Sequence, residues 1–111
     1  RGPRMGYVEH HAIIVTGYAK EDAEAAHAFV ASTGASVSSV AQSNINGDYT
    51  FVVGPDGSKS GWEEDAEGDI RRATIKGWLR SETKYQWVEV SYGFDPGGAT
   101  IVDSAWHGVS K

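Results

Sequence analysis

The chain has 111 residues, a hydrophobic fraction of 40%, a charged fraction of 23% and no cysteine. That length fits one domain around one core, and the missing cysteines exclude disulfides, thiolate zinc sites and cysteine nucleophiles. With 15 acids against 10 bases the net charge is −5, which disfavours nucleic acid, whose non-specific binding needs basic surface to release counterions, and favours a partner with a basic face.

No apolar run approaches the roughly 20 residues of a membrane-spanning helix. Residues 1–11, RGPRMGYVEHH, lack the apolar segment of a signal peptide. Met5, the sole methionine, is the expected natural start, with Arg1 to Arg4 an expression remnant. Residues 6–111 are then expected to form a single α+β domain, and a reducing cytoplasm fits the absence of cysteine.

The first element is HHAIIVTG, whose run Ala12 to Val15 reads as a strand buried on both faces. AKEDAEAAHAFVASTG follows as a helix, with acids in its first turn and Gly34 just past its end. Ala19, Ala23, Ala26, Val30 and Thr33 share one face of it, with Phe29 at the margin. ASVSSVAQS alternates weakly and reads as a strand near a sheet edge. Asn46–Gly47 marks a hairpin, because both residues tolerate positive φ. The returning strand DYTFVVG sets Tyr49, Phe51 and Val53 on one side and Thr50 and Val52 on the other, and Pro55–Asp56–Gly57 ends it.

Ser60–Gly61–Trp62–Glu63 matches a capping box, the reciprocal pairing of side chains and amides that opens a helix. Gly68 is expected to divide the helix that follows into two pieces. Its later part places Ile75, Trp78 and Leu79 on a core stripe. QWVEVSY then alternates, with Val88, Val90 and Tyr92 expected inward and Trp87 and Glu89 outward. Pro96–Gly97–Gly98 turns the chain into a last strand, ATIVDSAW. The order β-α-β-β-α-β-β implies a ferredoxin-like βαββαβ sandwich with an extra C-terminal strand: an antiparallel sheet with two helices on one face.

Catalytic and metal signatures are sparse. His10 and His11 are adjacent on a strand and point to opposite faces, while His27 and His107 lack a second ligand at helical or hairpin spacing. No serine sits in a nucleophile elbow or a Ser-x-x-Lys turn, and the acids of EEDAEGD read as a solvated helix start. No catalytic residue, metal ligand or cofactor is therefore assigned, and a non-enzymatic protein is expected. Arg71 and Arg72 read as an ion pair of Glu67 with Arg71 and a stem of Arg72 over apolar surface. Their alternative role is a clamp for a small anionic ligand or nucleotide. Four tryptophans exceed the needs of so small a core. Trp62 and Trp87 are the first candidate binding anchors, then Trp106 with Tyr49 and Phe51, since aromatics at exposed positions mark interaction hot spots.

Two resemblances add to this. NGDYTFVV, with Gly47, Tyr49, Thr50, Phe51 and Val52, resembles the third-strand motif of RNA-recognition domains, although Asn46 stands where that motif has a basic residue and Asp48 is additional. It implies an RNA binder as a further alternative. More of the chain resembles a group of small uncharacterised proteins encoded by tailed phages and prophages, through EHHAIIVTGY, NGDYTFVVGPDGSKSGWEEDAEGDIRR and WVEVSYG. That resemblance implies a setting, the bacterial host cytoplasm, and a protein that acts by contact with a host factor. The expected partner is a host protein with a basic face, with a homodimer as the alternative and no role for a membrane.

Overall fold

The computed structural model describes residues 9–56, 63–93 and 98–105. In chain order the elements are β1 (Glu9–Gly17), α1 (Lys20–Ser32), β2 (Ala41–Gln42), β3 (Tyr49–Val53), α2 (Glu63–Glu82), β4 (Gln86–Gly93) and β5 (Ala99–Ala105). The strands form one sheet in the order β2-β3-β1-β4-β5, and every neighbouring pair is antiparallel. The fold is a mixed α+β arrangement of a five-stranded sheet and two helices.

Both helices lie on the same side of the sheet, because one core cluster joins residues from all of these elements. Ile13 and Val15 of β1, Phe51 and Val53 of β3 and Trp87 of β4 meet Ala26 and Val30 of α1 and Ile75 and Leu79 of α2. Register fixes the set: Val15 lies opposite both Phe51 and Trp87, and directly opposed residues in an antiparallel pair share a face. Tyr85, just before β4, is fully buried and its hydroxyl donates to the Asp22 carbonyl at 2.7 Å, tying β4 to the start of α1. At the seam between the helices Phe29 stacks on Trp78, ring centroids 4.7 Å apart.

α1 forms where its spacing places it, with Ala23, Ala26 and Val30 buried and Thr33 capping its end. The Asn46–Gly47 hairpin also forms, but as a wider loop: Ser43 N donates to the Asp48 carbonyl, and Ser43 Oγ accepts from the amides of Ile45 and Asn46. Only Gly47 of the two has positive φ. The edge strand shrinks to Ala41–Gln42 plus a bridge from Val37 to Val53, consistent with its weak alternation. The expected capping residues Ser60, Gly61 and Trp62 and the Pro96–Gly97 turn lie outside the described residues.

Two expectations fail for physical reasons. Val88, Val90 and Tyr92 face away from the helices, while Trp87, Glu89 and Ser91 face them and are buried. Alternation gives the period but not its phase, and here the polar residue Glu89 belongs to the covered side. Gly68 does not divide α2, which runs unbroken for 20 residues. Its missing side chain instead makes room for the segment after β3, since a Cβ there would sit 3.3 Å from the Asp56 carbonyl oxygen and 3.2 Å from Arg72 Nη1.

The two helical glycines should therefore respond differently to alanine. Gly77 has open space around its Cβ direction, so Gly77→Ala should gain about 1 kcal/mol from helix propensity. Gly68→Ala should lose that gain to the contacts with Asp56 and Arg72 and fall below wild type; urea unfolding of both variants is the check.

Candidate functional site

Arg72, Lys76 and Arg80 recur every four residues and so form one stripe along α2. Beneath it, Glu89 of β4 and Asp103 of β5 are register partners on the helix-covered face. Lys76 Nζ donates to Glu89 Oε1 at 2.6 Å and lies 3.2 Å from Asp103 Oδ2. Arg80 Nη2 donates to both oxygens of Asp103, at 2.7 and 2.8 Å, and its guanidinium lies 4.9 Å from the centre of the Trp87 ring. Arg72 reaches Glu89 Oε2 through Nε at 3.4 Å and donates through its two terminal nitrogens to Asp56 and Asp69. His11 Nδ1 closes the group, 3.4 Å from Glu89 Oε2.

Glu89 is 3% exposed and Arg72 4%. Charges that deep are tolerated only when opposite charge and hydrogen bonds replace water. Burial alone would lower the Lys76 pKa, but the hydrogen bonds and charges of Glu89 and Asp103 together outweigh it and hold the ammonium above the usual lysine range. The Arg80 hydrogen bond, aided by Lys76 and the Ser104 amide, holds the Asp103 carboxyl below the usual range against partial burial. Each acid of this group faces a cation, which is an arrangement for docking α2 onto β4 and β5 rather than for moving protons. Among the described residues no group of three or more His, Asp or Glu is placed to hold a metal ion, and no helix is long and apolar enough to cross a membrane.

The residues singled out in the sequence are scattered by the fold. Trp87 is 3% exposed and Phe51 1%, so both belong to the core and neither is a surface anchor. Tyr49, opposite Gly17, is half-buried on the same helix-covered side. An RNA-recognition platform would need those rings on the uncovered side, where β3 places Thr50 and Val52. Arg72 is consumed by Asp56, Asp69 and Glu89 and is not open to an anionic ligand. Arg71 is half-buried, and the expected ion pair with Glu67 does not form. Trp62 and Trp106 lie outside the described residues. His10 and His11 do diverge as expected: His11 joins the ion cluster, and the His10 ring packs at a tilt against Tyr92 on the other face, centroids 5.0 Å apart.

That other face carries no described helix, and its composition is one-sided. Register arranges it in rows across β3, β1, β4 and β5. Thr50, Thr16 and Gln86 make the first row, with Thr16 and Thr50 hydroxyls hydrogen-bonded at 2.8 Å. Val52, Ile14, Val88 and Ser104 make the second, and Ala12, Val90 and Ile101 the third. His10, Tyr92 and Ala99 make the last. None of these residues is an acid, a lysine or an arginine. All three acids of the described strands, Glu9, Glu89 and Asp103, stand on the helix-covered side. A shallow depression of about 350 Å³ opens at one end of the uncovered face, lined by Ile14, Thr16, Gln86, Trp87, Val88, Ser104 and Ala105.

No protein-family model matches the chain, and comparisons with curated proteins and with solved structures return no match either. The site alone therefore carries the functional reading. Its main residues were missed in the sequence because they sit on four separate elements. The one local signal was the basic repeat Arg72, Lys76, Arg80.

Glu89→Gln leaves Lys76 and Arg72 short of a buried counter-charge and should cost about 3 kcal/mol in urea unfolding. Asp103 has a folded-state pKa below its ordinary 3.8, so its contribution is complete above that pH and is lost as pH falls through the folded value. Wild type should accordingly lose its advantage over Asp103→Asn as pH falls below 3.8; unfolding curves across the acid range are the check.

Proposed function

We propose that the chain is a non-enzymatic binding module that works by protein–protein contact, with the uncovered sheet face as its contact surface. The observation that supports this is the segregation of charge: the strands' acids face the helices, while the opposite face carries no acid, lysine or arginine on its described strands and has an aliphatic centre. Water-facing sheet surfaces of soluble proteins ordinarily carry polar and charged side chains, and contiguous apolar patches mark interaction sites. Ile14, Val88 and Val90 form an apolar centre, with Thr16, Thr50, Gln86 and Ser104 as a polar margin. That division is the usual anatomy of a protein interface.

We read the fold as a ferredoxin-like sandwich extended by one strand. The run β2-β3-β1-β4 with both helices on one side supports this, and β5 takes the sheet beyond four strands. The resemblance to proteins of tailed phages supplies the setting, in which the module meets a factor of the bacterial host in its cytoplasm. The net charge of −5 favours basic surface on that factor.

An Ile14→Lys/Val90→Lys double variant should remain folded, because Ile14 is 38% exposed and Val90 half-exposed on the uncovered face, and should lose a host protein that the wild type captures from lysate. Trp87→Ala is the contrasting variant: it empties the core and should cost about 3–5 kcal/mol of stability. Capture undiminished in the folded double variant would refute the assignment of this face.

A further inference from the structure

We infer that the occupant of the uncovered sheet face is a second copy of this chain, packed face to face so that both helical layers point outward. The inference rests on the reading that this face is a contact surface, and it names what covers it.

Charge favours this occupant over an unrelated protein. Specific partners of different sequence are oriented by complementary charge, and the described strands present no acid, lysine or arginine on this side. An identical face is the one surface certain to be equally uncharged and equally rich in β-branched side chains. A two-fold contact is also self-complementary by symmetry, each residue meeting its partner's counterpart once on either side of the axis.

The net charge does not oppose the pairing. Glu89 and Asp103 are neutralised beneath α2; among the described residues the exposed acids Glu21, Glu24, Glu67 and Asp69 lie on the helices, and Glu9 stands at the start of β1 on the helix-covered side. Stacked sheets sit about 10 Å apart, and each helix layer adds about another 10 Å. The acids of two copies are thus separated by well over the screening length of about 8 Å in physiological salt. Their mutual repulsion is small where the apolar contact is made.

Size is sufficient as well. Four strands about 4.8 Å apart and about seven residues long give a face of roughly 20 by 23 Å. Two such faces in contact remove about 900 Å² from water, the size of a weak, reversible interface. Valine and isoleucine on two twisted sheets interdigitate at the aligned packing angle of about −30°.

Sedimentation velocity over a wide dilution series tests this. Wild type should sediment at twice the single-chain mass of 11.9 kDa and dissociate on dilution. Val90→Lys and, separately, Ile101→Lys should sediment as folded single chains, judged by unchanged far-UV circular dichroism. Ile101 is 69% exposed at an edge strand, so this second variant keeps the test valid should Val90→Lys fail to fold. Ile70→Lys, on the exposed side of α2, should remain a dimer. A wild type that is monomeric at every concentration overturns the inference. If its host capture is still lost in the face variants, the contact-surface reading stands with a different occupant; if capture survives, both fall. A dimer that persists in both face variants also overturns it, by placing the interface elsewhere.

Discussion

The buried carboxylate of Glu89 sets the orientation of the whole sheet. A strand has period two, so moving its phase by one residue exchanges every side chain between faces. Glu89 meets Lys76, Arg72 and His11 only if β4 turns its odd-numbered residues toward α2. Trp87 then enters the core, Ser91 follows it inward, and Val88, Val90 and Tyr92 are left on the far side. The neighbouring strands inherit the choice through register: Val15 joins Trp87, and Asp103 joins Glu89.

The apolar core lies between helices and sheet in the ordinary way, but an ion cluster is built in beside it under α2. The strands' charge is drawn to that side, and the side that carries no described helix keeps an aliphatic centre. Burying ion clusters contributes little net stability compared with apolar packing of equal volume. Its effect here is directional, because α2 can seat its basic stripe over β4 and β5 in one register only. The same arrangement strips charge from the opposite face and leaves a surface suited to contact. Fold specificity and the proposed contact surface are thus two results of one placement of charge.

Much of the fold was legible in the sequence, and the site mostly was not. The helix at Ala23, Ala26 and Val30, the hairpin at Asn46–Gly47 and the core stripe of Ile75 and Leu79 are local patterns, and local patterns fix element type. The phase of β4 was not local. Two local tests agree on the wrong phase there, valine inside and glutamate outside, and only the basic stripe of the preceding helix reverses them. The same phase puts Trp87 on the surface as an anchor, whereas the fold buries it. Gly68 looked like a helix breaker because its purpose, making room for Asp56, depends on a segment twelve positions away.

The most direct measurement is methyl-resolved nuclear magnetic resonance with a water-soluble paramagnetic agent, on wild type and on a monomeric charged-face variant. In the monomer the account predicts strong relaxation of Ile14 and Val88 methyls and protection of Val15 and Val53. In concentrated wild type the Ile14 and Val88 methyls should become protected too, with the exposed Ile70 methyls on α2 unchanged. Protection of Ile14 and Val88 in the monomer equal to that of Val15 would contradict the account, since the face would then be closed by the chain itself.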